Sequence, residues 1–483
     1  MSSSSPSFSP RELPLKPIPG DYGYSFFGAI KDRLDYFYNQ GTDDFFKTRI
    51  QKHNSTIIKT NMPPGPFIAK NPKVIALLDA ISFPLLFDTS KVEKKNVLDG
   101  TFFPSVSFTG GYRVCAYLDP SEPNHTKLKS FFLSILSSKH NIFIPLFTTC
   151  LRQLFIDIEE EMSSKNKAYF NSLSDSMSFN FVFRLFCDKD PLNTKIGSKG
   201  PSVLDKWLAL QLAPLATLNL PKFFKYFEDF LLHTFPLPFF LVKSDYGKLY
   251  ESFYEHSGSV LDKAESFGIK RDEACHNLVF LAGFNAYGGM KVFFPTMIKW
   301  VAQAGEKLHT QLAHEIRTVR KDGSVITFQA LDKMPLTKSV VCEALRIEPP
   351  VPFQYGKAKE DIIVHSHDAA YQIKKGEMIF GYQPLATKDP KVFHNPHEFV
   401  GHRFVGEEGE KLLKYLYWSN DREMVNPTAE NKQCPGKDLV VLLGMVMLVE
   451  FFLRYDTCTV ETKKGLGLAS SVTFTSLTKA TST

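Results

Sequence analysis

"NKQCPGKD" (431–438) runs without a break into "LVVLLGMVMLVEFFL" (439–453), and this meeting of one cysteine with a long apolar helix decides how the chain is read. A single cysteine is most often a small, inert core residue. Its neighbours raise Cys434 above that. The start of a helix offers free amide groups and the positive end of the helix dipole, both of which lower a thiol pKa. Pro435 lacks an N–H and fits the first helical turn. Gly436 leaves room for something flat to lie against the backbone.

Upstream, "EALR" (343–346) sets Glu343 and Arg346 on one helical face, where they can form a charge-assisted pair. Alone, such a pair is more often a solvated surface contact. "FVGHRF" (399–404) then adds Arg403, which can complete a three-way network. With these in view, a haem would supply both a flat body for the space beside Gly436 and an iron for the thiolate. The order ExxR, Arg-Phe, Cys-x-Gly opening an apolar helix resembles the cytochrome P450 superfamily over nearly the whole chain. The resemblance implies haem b, Cys434 as the axial iron ligand, and Glu343, Arg346 and Arg403 as a brace for the core.

The rest of the chain agrees with a large soluble domain. Hydrophobic residues at 43% and charged residues at 22% exclude a disordered or fibrous chain. With 57 basic against 51 acidic residues and no Lys/Arg-rich run, there is no footprint for nucleic acid. A count of 44 Phe suits an apolar substrate, although ordinary core packing accounts for most of them. Seven cysteines without CxxC spacing argue against a disulfide framework or a zinc module and point to a reducing compartment, so the sequons at Asn54 and Asn124 are read as unused. The opening "MSSSSPSFSPRELPLKPIPGDYG" lacks the apolar core of a signal peptide. Residues 1–21 are expected to be a flexible Ser/Pro-rich tail and 22–483 one haem-thiolate domain, cytoplasmic and without a membrane anchor. Helical periodicity covers 125–138, 144–164, 203–218, 246–266, 271–305, 307–320, 335–346 and 437–454. Strand-like stretches are short: "STIIKTNM", "KVIALL", "DIIVHS" and "AAYQIKKGEMIF". The expected fold class is mainly α with minor β.

Two departures from an ordinary P450 narrow the reading. The usual haem loop has Phe, Gly and Arg seven, four and two residues before the cysteine. Here those places hold Pro427, Glu430 and Lys432, after an apparent insertion, "YWSNDREMVN". In the helix over 271–305, the acid and hydroxyl that deliver protons to iron-bound dioxygen are replaced by Asn285 and Ala286. An amide can hold an oxygen atom by hydrogen bond but has no pKa near neutrality with which to relay protons. A substrate that brings its own O–O bond removes that need, and with it the need for a reductase. This is similar to the plant P450 family of allene oxide synthases, hydroperoxide lyases and divinyl ether synthases, in "KVEKKNVLDGTFFPS" (91–105), "TGGYRVCAYLDPSEPNH" (109–125), "FNAYGGMK" (284–291), "RIEPPVPFQYGKAK" (346–359) and "GYQPLATKDP" (381–390).

The resemblance assigns roles residue by residue. Lys94, His125 and Lys129 match positions that contact the haem propionates, and Lys432 matches the basic residue beside the cysteine ligand. The first three would otherwise be read as surface residues. Asn285 matches the residue that holds the hydroperoxide oxygen, and Lys291 a substrate-contacting position. In this family, O–O homolysis leaves an alkoxyl radical that closes to an epoxide bearing a carbon radical. Oxidation and proton loss then give allene oxide, whereas return of oxygen gives a hemiacetal that falls apart to an aldehyde and an oxo-acid. Synthases carry Phe where this chain has Leu98, and often Ser or Thr where it has Ala286. Both residues favour a hydroperoxide lyase acting on 9- or 13-hydroperoxides of linoleic and linolenic acids, with allene oxide synthase and divinyl ether synthase as alternatives. A haem sensor or lipid carrier is the non-enzymatic rival. The run "LLHTFPLPFFLVK" (231–243) reads either as a segment that dips into a membrane or lipid-body surface or as a buried interhelical link.

Overall fold

The apolar run after Cys434 folds as one helix, Lys437–Arg454, at the bounds its periodicity predicts. Val441, Leu443 and Met445 to Phe452 are buried along it, so it runs through the core rather than over it. Each such side chain stabilises the fold by about 1.5–3 kcal/mol. This computed structural model describes residues 13–69, 71–98, 102–218, 220–320, 325–465 and 470–481. Helices Pro123–Ser138, Phe143–Lys165, Glu306–Val319 and Pro335–Ile347 also fall close to expectation. The stretch His140–Lys165 is long and apolar enough to cross a bilayer, but Phe143, Ile144, Phe147, Leu151 and Leu154 are buried in the main core.

The structure corrects several other ranges. The helix expected over 246–266 divides at Ser257 into Lys243–His256 and Gly258–Ser266. The one expected over 203–218 begins at Gly200 and ends at Leu212, just before Pro214, which cannot donate a helical hydrogen bond. Phe170–Cys187 is a helix the periodicity missed. Phe179, Phe181, Val182, Phe183, Leu185 and Phe186 bury it on most sides, which erases the apolar stripe. Part of the stretch expected as a tail joins the fold. Leu15–Lys16 pairs in parallel with Ala370–Tyr371, and Lys59 N–H donates to the Pro19 carbonyl at 2.8 Å. Residues 1–12 lie outside the described part.

Among the described residues, three small sheets flank the helices. The five-stranded one has the order Ile57–Asn61, Lys73–Leu77, Met378–Tyr382, Phe353–Ala358, Val92–Glu93, with only the second and third strands parallel. "AAYQIKKGEMIF" is not one strand: Ala370–Ile373 joins Ile362–His365, and Met378–Tyr382 joins the larger sheet. Residues 455–463 and 471–479 form an antiparallel pair that closes on Ala168–Tyr169. The architecture is mainly α with minor β.

The central helix spans 271–304 in three continuous parts: Arg271–Val279, a wider π-helical stretch Phe280–Tyr287, and Gly288–Ala304. π turns inside α-helices are frequent at functional sites. Helix Gly200–Leu212 crosses it closely, since a Cβ on Gly283 would fall 2.6 Å from Leu204 Cδ2. The run 231–243 divides between its two readings: Leu231, Phe235, Phe240 and Leu241 are exposed, Leu232, His233 and Val242 are buried, and Phe223, Phe227 and Phe230 just before the run are exposed too.

Candidate functional site

The site gathers residues from four distant stretches. Cys434 is held in its turn by its own N–H, which donates to the Ser419 carbonyl at 2.8 Å, and by its carbonyl, which accepts from Lys437 N–H at 3.1 Å. Six of the seven cysteines are buried, and Cys434 alone keeps partial exposure. A Cβ on Gly436 would meet nothing nearer than the Cys434 sulfur at 3.9 Å, so space is free beside the thiol. The helix start alone suggests a lowered thiol pKa, but burial wins and pushes it up, while the Gly436 amide and the Lys129 ammonium pull it down. Coordination to a metal would remove that proton outright.

Lys94, His125 and Lys129 are buried, not superficial. Lys94 Nζ donates to Asn420 Oδ1 at 2.9 Å and Gln354 Oε1 at 3.2 Å. Lys129 donates to the carbonyls of Asn431 and Gln433. Lys432 donates to the carbonyls of Cys115, Ala116 and Leu118 at 3.2, 3.0 and 2.9 Å. Among the described residues the buried His125 Nδ1 atom has no hydrogen-bond partner. Burial, then the like charge of Lys432, push Lys94 down to about 7. Burial pushes Lys432 down to about 8, and burial with Lys432 and Lys129 pushes His125 to about 3.

Three ammonium groups, two buried and one half-buried, whose hydrogen-bond partners are all neutral oxygens are a costly arrangement unless anions complete it. The two propionates of a haem are such anions, and the open thiol of Cys434 is the ligand its iron requires. The donor set therefore fits the group that the sequence implies.

Asn285 lies in the π-helical stretch and is exposed, although Phe280 to Gly283 and Tyr287 around it are buried. Among the described residues its amide has no side-chain hydrogen bond, so it faces open space as a free donor. Leu98 and Ala286 are half-buried and pack against the same core cluster. Lys291 departs from its expected role. It is ion-paired with Asp175 and, at 3.2 Å, with Asp205, whose carboxylate also accepts from Tyr287 O–H at 2.9 Å. Burial opposes its charge, but the two acids win and hold its pKa up. Lys291 thus ties the central helix to helices Phe170–Cys187 and Gly200–Leu212 and is not free to grip a substrate carboxylate.

The expected brace is present. Arg346 Nε donates to Glu343 Oε2 at 2.7 Å and Arg403 Nε to Glu343 Oε1 at 2.9 Å, with all three side chains buried. Arg346 also donates to the carbonyls of Thr387 and Pro396. What the sequence left unmarked are the neutral partners. The apparent insertion over 417–426 is a wall of the site. Trp418 Nε1 donates to Glu423 at 2.7 Å, Lys437 Nζ donates to the Glu423 carbonyl at 2.7 Å, and Asn420 holds both Lys94 and the Lys432 carbonyl. Asn420 sits at positive φ, where Asn is tolerated, and that is the one local signal available in the stretch.

Comparison with known proteins gives a match of residues 306–424 to the cytochrome P450 family model. Over its whole length the chain is similar to allene oxide synthase 3 of Solanum lycopersicum, with 58% identity over 97% of this chain and 96% of the relative. It is similar to the chloroplastic allene oxide synthase of Arabidopsis thaliana, with 52% identity over 97% and 90%. The 9-divinyl ether synthase of Capsicum annuum is also 52% identical, over 99% of this chain and 100% of that protein.

Proposed function

The chain belongs to the cytochrome P450 family, in the plant branch that metabolises fatty acid hydroperoxides, and from that premise we propose that it rearranges the hydroperoxide of an unsaturated fatty acid without dioxygen or a reductase. The observation that carries this reading is Asn285: a free amide donor on the open face of a buried helix, where proton delivery would call for a titrating acid. Bound at Cys434, with its propionates against Lys94, His125, Lys129 and Lys432, a haem would supply the iron that splits the O–O bond homolytically. Asn285 donates a hydrogen bond to the hydroperoxide and aims it. Ala286 presents only a methyl group beside it, so the site offers no proton to a cleaved oxygen. The buried flank of the central helix keeps water from the reacting carbons.

The product divides two ways. Loss of water from the hydroperoxide gives an allene oxide, and the similarity to allene oxide synthases favours this dehydratase outcome. A second reading is favoured by Leu98 and Ala286. With neither an aromatic face to stabilise an electron-poor carbon nor a hydroxyl nearby, oxygen returns to the radical, and the product is the hemiacetal of a lyase. Incubation of the haem-loaded protein with 9- and 13-hydroperoxides of linoleic and linolenic acids, without NADPH, tests both. Ketols from hydrolysed allene oxide support the dehydratase, and short aldehydes with oxo-acids support the lyase. If ketols are absent in the parent, Leu98→Phe is expected to raise them. Failure to consume either isomer leaves a haem sensor or lipid carrier. For the exposed Phe residues of 223–241 we propose contact with a lipid surface, where such substrates collect.

A further inference from the structure

Asn285, Gly289 and Val292 stand at i, i+4 and i+7, on one face of the central helix. That face is open along its length. Asn285 is exposed, a Cβ on Gly289 would meet nothing within 4 Å, and Val292 lines a cleft of about 340 Å³. The cleft is walled by the central helix, by the segment from Ile347 to Pro352, and by Tyr382, Pro384 and Lys388.

The charges in the cleft are unevenly satisfied. Glu348 accepts from Lys299 and from Trp300 Nε1 at 2.9 Å, and Asp43 accepts from Tyr382 O–H at 2.5 Å. Both acids therefore have donors. Among the described residues Lys388 Nζ has one hydrogen bond, to the Ile347 carbonyl at 3.2 Å, and no carboxylate lies within ion-pair distance of it. Burial lowers its pKa, against the pull of Asp43 and Glu348 and with the help of Arg346 and Lys47. Arg346 is committed to Glu343, and the other lysine near the reacting face, Lys291, is committed to Asp175 and Asp205.

We infer that this cleft seats the carboxylate end of the fatty acid substrate, with Lys388 as its counter-ion and the chain lying along the Asn285–Gly289–Val292 face. This rests on the hydroperoxide reading above. Length supports it. At about 1.5 Å per residue, Val292 lies about 10 Å along the helix from Asn285. At about 1.2 Å per bond of extended chain, the eight bonds from the carboxyl carbon to carbon 9 also span about 10 Å, whereas the twelve to carbon 13 span about 14 Å. The cleft thus suits a 9-hydroperoxide held straight, and a 13-hydroperoxide must fold or overreach.

The test compares free acid with methyl ester, which differ only in the charge Lys388 would meet. In the haem-loaded protein, Lys388→Gln is expected to raise KM for the 9-hydroperoxy acid about tenfold. It should move KM for the ester less than twofold and affect the 13-isomer less than the 9-isomer, and Lys388→Arg should restore the acid. Equal losses for acid and ester, or no change for either, would overturn the inference. Calorimetric binding of the unreactive 9-hydroxy acid separates the two layers of the argument. Lys388-dependent binding without hydroperoxide turnover keeps the cleft and sinks the enzyme, whereas turnover indifferent to Lys388 keeps the enzyme and sinks the cleft.

Discussion

Asn285 shows how much chemistry can rest on one side chain. In the proposed reaction its amide holds the hydroperoxide oxygen without supplying a proton, so Asn285→Ala is expected to lower kcat about a hundredfold while the haem spectrum stays unchanged. Cys434→Ser should do the opposite, abolishing the thiolate signature of the ferrous–CO complex while the fold persists. Lys94 makes a third prediction. Its folded pKa, near 7, lies below its unfolded value near 10.5, so the folded apoprotein binds fewer protons between those limits and its stability rises with pH there. Lys432 acts with the same sign above about 8. The melting temperature of the apoprotein should therefore climb from pH 7 to pH 10 relative to Lys94→Met. Haem loading should flatten the difference, because propionates restore the lysine charge. A climb that persists unchanged in the holoprotein would separate Lys94 from the propionates.

Elements meet here through buried charges, and these ties decide which residues reach the site. Glu343 joins helix Pro335–Ile347 to the loop carrying Arg403 and is fully buried. Glu343→Ala leaves two guanidinium groups without a carboxylate and is expected to cost about 3–5 kcal/mol, measured by denaturant unfolding. The central helix has its own tie. Tyr287, Lys291, Asp205 and Asp175 lock the end of the π-helical stretch to two neighbouring helices. Burial raises the Asp175 carboxyl to about 6, against the Lys291 charge. That tie is therefore weakest in mildly acid solution. Tyr287→Phe, which removes one hydrogen bond of the lock, should cost about 1 kcal/mol of stability and shift the ratio of ketols to aldehydes, since it loosens the turn that aims Asn285. A stability loss with an unaltered product ratio would make the lock purely structural.

At the scale of the molecule, the exposed face over 223–241 is joined to the helix Ser25–Leu34 by buried Arg33. Arg33 pairs with Asp229 at 2.5 Å and donates to the carbonyls of Pro64, Gly65 and His233. Phe26, Phe27 and Phe67 are exposed as well. Phosphatidylcholine vesicles are expected to sediment the protein, and Phe227→Glu with Phe230→Glu to release it. Retention by the double variant would move the contact elsewhere. The sequence by itself determined the helices with one apolar stripe and set Glu343 and Arg346 on one helical face, because both are written in local spacing, whereas the parts of Arg403 and Cys434 came from the resemblance to the P450 family. It also placed an amide at Asn285, where the family resemblance calls for an acid, and an amide has no proton to relay near neutrality. The tertiary structure alone decided that Lys94, His125 and Lys129 are buried, that Lys291 is spent on two carboxylates, and that Phe235 and Phe240 in the stretch 231–243 are exposed while Leu232 and Val242 are not. Burial and ion pairing are set by residues hundreds of positions away, and no local pattern records how those distant groups divide the available counter-charges.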